Sequence, residues 1–152
     1  DGSDISLISV AYMTLECLRA AELLKSHNIK VEVVDLISIR PIDVNTIISS
    51  IAKTGRCLVV DHGDSICGLS SEVIATISEL AFSDLKSNPS RLTLPLHPVP
   101  TSHNLADGYY PDAENIASKV LDIFGISAKS EPLVHSLRHP KDQPNKLFNG
   151  PF

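Results

Sequence analysis

One stretch constrains the fold more than any other: Val31 to Gly63, VEVVDLISIRPIDVNTIISSIAKTGRCLVVDHG, reads as a strand, a crossover helix and a second strand. Val31, Val33, Val34 and Leu36 form an aliphatic run too short for a helix, and Cys57, Leu58, Val59 and Val60 form another. Both predict buried strands. Between them Val44, Ile47, Ile48, Ile51 and Ala52 recur at the spacing of one helix face, a stripe that needs a sheet to cover. Pro41 biases Arg40 away from helical geometry, Asp43 can accept from the free amides of a first turn, and Gly55 suits a left-handed stop. A helix from about Asp43 to just before Gly55 therefore joins two parallel strands, which need a crossover of this kind. The fold class is α/β.

The rest of the chain fits around that unit. Ile5, Leu7, Ile8 and Val10 predict a first buried strand, followed by a long helix with Leu15, Leu18, Ala21 and Leu24 on one stripe, ending near Ser26-His27-Asn28. After the loop Asp61-His62-Gly63-Asp64 and Gly68, a helix carries Val73, Ile74, Ile77, Leu80 and Ala81 and fades at Ser87-Asn88-Pro89. Leu92 to Leu94 predicts a weaker fourth strand. Pro95, Pro98 and Pro100 then carry the chain over the surface. Pro111-Asp112-Ala113-Glu114 starts a last helix, with Ala113, Ile116, Ala117, Val120, Leu121 and Phe124 on its apolar face and Gly125 at its end. From Lys129 onward the pattern fails at Pro132, Pro140, Pro144 and Pro151. The expected organisation is an α/β domain over residues 1–128 and a proline-rich extension over 129–152. That extension is mildly basic, with Lys129, Arg138, Lys141 and Lys146 against Glu131 and Asp142, on an acidic body it could lie across.

Totals matter where they exclude. A net charge of −5 over 152 residues, with no basic stripe, argues against a nucleic-acid surface. No run approaches the ~20 apolar residues a membrane-spanning helix needs, and no signal peptide is evident. Cys17, Cys57 and Cys67 are odd in number and form no CxxC pair, which favours reduced, mostly buried thiols in a cytoplasmic protein, or one of the mitochondrial matrix. The chain begins at Asp1 without a methionine, so a processed or cut piece is expected.

Ligands of open α/β sheets sit beyond the carboxyl ends of the strands. Those ends offer Tyr12, Asp35 and Asp61-His62-Gly63-Asp64. Asp61 and His62 could act as an acid and base. Charged residues there more often serve the loop, so Asp61 is expected to cap it and His62 to be solvated. There is no GxGxxG and no GxxxxGK[ST] to cradle phosphate, and Ser65, Ser70 and Ser71 lie outside any GxSxG elbow. His135 and His139 are four apart, but Pro132 and Pro140 flank them and no acidic ligand is near, so a metal site is not expected. His97 and His103 fall in the proline-rich passage, where histidines are solvated or touch a partner. No self-contained active site emerges.

The ordered series of motifs resembles the C-terminal domain of transketolase-like enzymes, and most closely the beta subunit of the thiamine-diphosphate-dependent component of 2-oxoacid (pyruvate or branched-chain) dehydrogenase complexes. Three blocks carry it: Asp4-Ile5-Ser6-Leu7-Ile8 with Glu16 and Ala20-Ala21; Val33-Val34-Asp35-Leu36, Arg40-Pro41-Ile42-Asp43, Lys53-Thr54-Gly55-Arg56, Gly68 and Glu72; and Pro98-Val99-Pro100 with Tyr110-Pro111-Asp112. The resemblance spans about Asp4 to Phe124. It implies a three-layer α/β sandwich with a mostly parallel sheet of about five strands, noncatalytic alone, that holds an enzyme's subunits together. It further implies that thiamine diphosphate and magnesium belong to two other domains, neither of which precedes Asp1, and that none is bound here. Other alpha and beta subunits, or a second copy, would be the partners, with the acyltransferase core of a multienzyme complex as a further one. The expected contact residues are Asp61, His62, Gly63, Val99, Tyr109, Tyr110 and Pro111. The tail after Gly125 is longer than the family's usual ending, and Asp61-His62-Gly63 stands where a glutamate is more common. The rival readings are another transketolase-like enzyme and a flavodoxin-like small signalling or ligand-binding module, in its sharpest form a receiver with Asp61 as phosphoacceptor; a receiver needs an acidic pair after the first strand, where this chain has Ala11-Tyr12.

Overall fold

Helix and strand signals in the sequence become a layered structure because each apolar stripe finds the sheet it needs. The computed structural model describes residues 2–102, 106 and 108–126. Its elements run β1 (Ile5–Ser9), α1 (Tyr12–Leu24), β2 (Val31–Asp35), α2 (Val44–Thr54), β3 (Cys57–Val60), α3 (Leu69–Leu80), β4 (Ser90–Leu92) and α4 (Ala113–Ile123), with single 3-10 turns at Lys25–His27 and Phe82–Asp84. The four strands pair in the order β2-β1-β3-β4, all parallel. Four strands among the described residues stand where about five were expected, and β2 and β4 are the edges. The extension from residue 129, its boundary at 128, and His103, His135 and His139 lie outside the described residues.

Two apolar cores make the sandwich three layers deep. Ile5 and Leu7 of β1 with Leu58 and Val60 of β3 face α1 and α4, while Ile8, Val34, Cys57 and Val59 face α2 and α3. Every residue of β1 is buried, as expected of a central strand covered on both faces. Ser6 and Ser9 are its polar members, and hydroxyl partners satisfy both: Ser9 Oγ lies 3.1 Å from Thr14 Oγ1, Ser6 Oγ lies 2.7 Å from Ser50 Oγ and 2.8 Å from Thr54 Oγ1, and Thr54 Oγ1 donates to Ser50 O.

Helix α2 forms as its sequence predicts. Asp43 caps it by accepting from Thr46 N, and Gly55 ends it at φ 73°, where an added Cβ would press on the Lys86 side chain. Helix α4 begins with a reciprocal cap between Asp112 and Asn115. Two expectations shift. The buried side of α1 is Met13, Glu16, Cys17, Ala20 and Leu24, not the stripe through Leu15 and Leu18, and Leu18 is 50% exposed. Both stripes have helical spacing; packing of α4 across α1 selects the one that includes a carboxylate. Strand β4 lies two residues earlier than Leu92 to Leu94, because β3 stops at Val60 and its last partner is Leu92.

Candidate functional site

The chain leaves β1 toward β2 on one side and returns to place β3 on the other, so the strand order reverses between the carboxyl ends of β1 and β3. In open α/β sheets that crevice is where a ligand sits. Here aromatic and imidazole rings gather at it. Tyr12, the first residue of α1, stacks on His62 with centroids 6.0 Å apart and planes 20° from parallel. Tyr110 meets the His62 ring edge-on at 5.9 Å, Tyr109 meets Tyr110 at 5.1 Å, and His97 meets Tyr109 at 5.2 Å. Tyr109 Oη donates to His97 O at 2.9 Å. Ala11, at the turn into α1, has φ 52°, an uncommon backbone state for a residue with a Cβ.

Beneath the rings lies Glu16, 3% exposed. Its Oε1 accepts from Tyr12 Oη at 3.0 Å and from Arg19 Nη1, and its Oε2 accepts from Ala113 N at 3.0 Å in the first turn of α4. One carboxylate thus ties α1 to the positive end of α4.

Asp61 is the loop cap that its residue type predicts. Its Oδ1 accepts from Gly63 N at 2.9 Å and its Oδ2 from Ser70 N at 3.2 Å at the start of α3. With both oxygens engaged and 6% exposure, it is no open phosphoacceptor, and Ala11-Tyr12 leaves no acidic pair beside it. Gly68 completes the turn; a Cβ there would meet Asp64 O at 2.0 Å. His62 departs from the solvated state expected of it. It is half-buried, its Nε2 is buried without a hydrogen-bond partner, and burial pulls its pKa down against the pull of Asp61 and Glu16.

Of the seven expected contact residues, Asp61, Tyr109 and Pro111 are buried within the domain, Gly63, His62 and Tyr110 are half-buried, and Val99 is 51% exposed. Tyr109 and Pro111 are drawn inward by the ring contacts and by the entry to α4. What sequence reasoning missed is the rim beside them: Ile37 and Ile39 after β2, Ile66 in the loop after β3, and Leu96 after β4 are all large, apolar and exposed. Their signal was present as aliphatic residues in loops, outside any helical or strand period. Among the described residues no group of three or more His, Cys, Asp or Glu could hold a metal ion. No helix among the described residues is long and apolar enough to cross a membrane.

Comparison with known proteins agrees with this architecture. The family model described as the transketolase C-terminal domain matches residues 1–116. The beta subunit of acetoin:2,6-dichlorophenolindophenol oxidoreductase from Cupriavidus necator is 36% identical over 118 residues, covering 78% of this chain and 35% of that protein. The pyruvate dehydrogenase E1 component subunit beta of Staphylococcus aureus is 37% identical over 118 residues, covering 76% of this chain and 33% of that protein. The chain thus spans about a third of the length of these curated relatives. Among solved structures, a split-gene transketolase described as an inactive beta4 tetramer superposes with a TM-score of 0.70 at 25% identity, covering 84% of this chain and 41% of that one. A 2-oxoglutarate:ferredoxin oxidoreductase from Magnetococcus marinus shares the fold, with a TM-score of 0.51 at 16% identity. On the family match across residues 1–116, the chain belongs to the transketolase C-terminal domain family and is homologous to the beta subunits of 2-oxoacid dehydrogenase E1 components.

Proposed function

We propose that this domain serves subunit assembly in a thiamine-diphosphate-dependent oxidative decarboxylase or dehydrogenase of the 2-oxoacid type, and performs no chemistry alone. The observation that carries the reading is the alignment of 118 residues with the beta subunits of both an acetoin and a pyruvate enzyme. The geometry supports it from another side. Groups that could have done chemistry at the sheet's carboxyl end are committed to holding the fold: Asp61 to α3, Glu16 to α1 and α4. Around them Ile37, Ile39, Ile66, Leu96 and Val99 form an exposed apolar rim of the kind that a subunit contact desolvates. The partner at that rim is another subunit of the same enzyme, and thiamine diphosphate with magnesium is bound by its other domains.

A domain graft tests this. With this chain in place of the C-terminal third of the Staphylococcus aureus beta subunit, the chimera is expected to co-elute with the other subunit of that enzyme. Replacing Ile37 and Ile39 together by Asp should abolish co-elution without unfolding the graft. The reading fails if the chain alone decarboxylates pyruvate in thiamine diphosphate and magnesium. It also fails if a folded chimera does not assemble.

A further inference from the structure

We propose that His62 is an acid-sensitive clasp that holds the Tyr109–Pro111 approach to α4 against the carboxyl end of the sheet, engaged when the imidazole is neutral and released when it is protonated. The ring fills the slot between Tyr12 of α1 and Tyr110, so it joins the β1–α1 corner, the loop after β3 and the segment entering α4. Tyr110 and Pro111 lead directly into Asp112, the cap of α4. Whatever loosens the His62 contact therefore acts on the start of that helix.

Hydrogen-bond accounting supplies the switch. A cationic imidazole carries N–H on both nitrogens. Its Nε2 is buried with no partner, so the cation would bury a charged N–H with nothing to accept it. None of the groups facing it accepts from Nε2, and the nearby carboxylates are engaged elsewhere. From its own loop, Asp61 already accepts from Gly63 N and Ser70 N. From α1, Glu16 already accepts from Tyr12 Oη, Arg19 and Ala113 N, and the Arg19 guanidinium offsets its charge. Across the slot, Tyr110 presents a ring at 5.9 Å, and behind it stand Tyr109 and the exposed His97. The two carboxylates and the ring faces favour the cation, yet burial outweighs them. The sign follows: an open clasp binds a proton near the ordinary value of 6.5, the closed clasp resists it, and acid favours the open form.

The size of the effect is bounded. Between pH 7.5 and pH 5.5 a free imidazole of ordinary pKa goes from mostly neutral to mostly charged, so opening rises by up to roughly tenfold. Hydrogen exchange of the chain, corrected for the intrinsic pH dependence of exchange, is expected to show that acceleration at residues 108–116 and not in β1 or β3. In His62→Gln, which cannot titrate, the acceleration disappears, while in His97→Gln it persists. Retention of the acid response in His62→Gln, or its absence in the wild-type chain, overturns the proposal. Direct titration of the His62 ring by NMR guards against an unfolded variant: an apparent pKa below 6.5 is expected, and one at or above it refutes the clasp. Neither measurement depends on which subunits the domain assembles with.

Discussion

Replacing Glu16 by alanine should be among the most damaging single changes in the domain, although it removes a charge from a helix that sequence patterning reads as polar at that point. The Glu16 side chain is 4% exposed and that of Arg19 is 18% exposed. Truncation strands the buried amide of Ala113, which costs ~1–3 kcal/mol as an unsatisfied donor. Arg19 loses its ion-pair partner and Tyr12 its acceptor; because both can turn toward water, about 1–2 kcal/mol is a fair allowance for the two together. The sum is about 2 to 5 kcal/mol, overlapping the ~3–5 kcal/mol typical of removing one member of a buried pair. Urea unfolding followed by far-UV circular dichroism should show a lower midpoint at unchanged slope, and the thermal midpoint should fall by roughly 10 °C. In a cycle with Arg19→Ala the two effects should fail to add by about 1 kcal/mol or more. A loss below about 1 kcal/mol, or strict additivity, would show that Glu16 does not bridge α1 and α4.

Other consequences follow from single groups. Gly55→Ala puts a Cβ at φ 73° against the Lys86 stem and should cost about 1–2 kcal/mol, read as a fall of several degrees in thermal midpoint. Burial raises the Cys17 thiol to about 12 and the Cys57 thiol to about 11, whereas Cys67 is exposed. Ellman's reagent at pH 8 should therefore label Cys67 promptly and the other two only on unfolding. The Gly2 amide and the Lys53 ammonium hold the Glu32 carboxyl below its ordinary 4.5, so its contribution is present above that pH and is lost as pH falls through the lowered value. Glu32→Gln should flatten the acid limb of a stability-against-pH curve; an unchanged limb would rule the contribution out.

How much could be read from the residues differs by element, and the reason is the range of the interaction. Helix α2 was legible to its ends because Asp43, the aliphatic stripe and Gly55 are local signals. The α/β class followed from two short aliphatic runs around that helix, and α4 from Pro111-Asp112 and its stripe. The buried side of α1 was not legible, since Glu16 becomes a core residue only when Arg19 and the first turn of α4, 97 residues away, arrive to satisfy it. At the candidate site the residue type of Asp61 predicts the loop cap that it forms, while the same local reasoning puts His62 in water. Its burial comes from Tyr110, which no local pattern ties to the loop after β3.

The sheet ends sideways at β2, whose Val31–Asp35 backbone is paired with β1 on one flank. Along the opposite flank runs a cleft of about 480 Å³ against α2, bordered by Glu32, Asn45, Ser49 and Lys53. Among the described residues no strand pairs with that flank, and an edge of this kind is a template for one more strand. The Glu32–Lys53 ion pair lies beside that opening. Neutralising both residues would strip the guard from the template, so the purified domain would be drawn toward growth into ribbons.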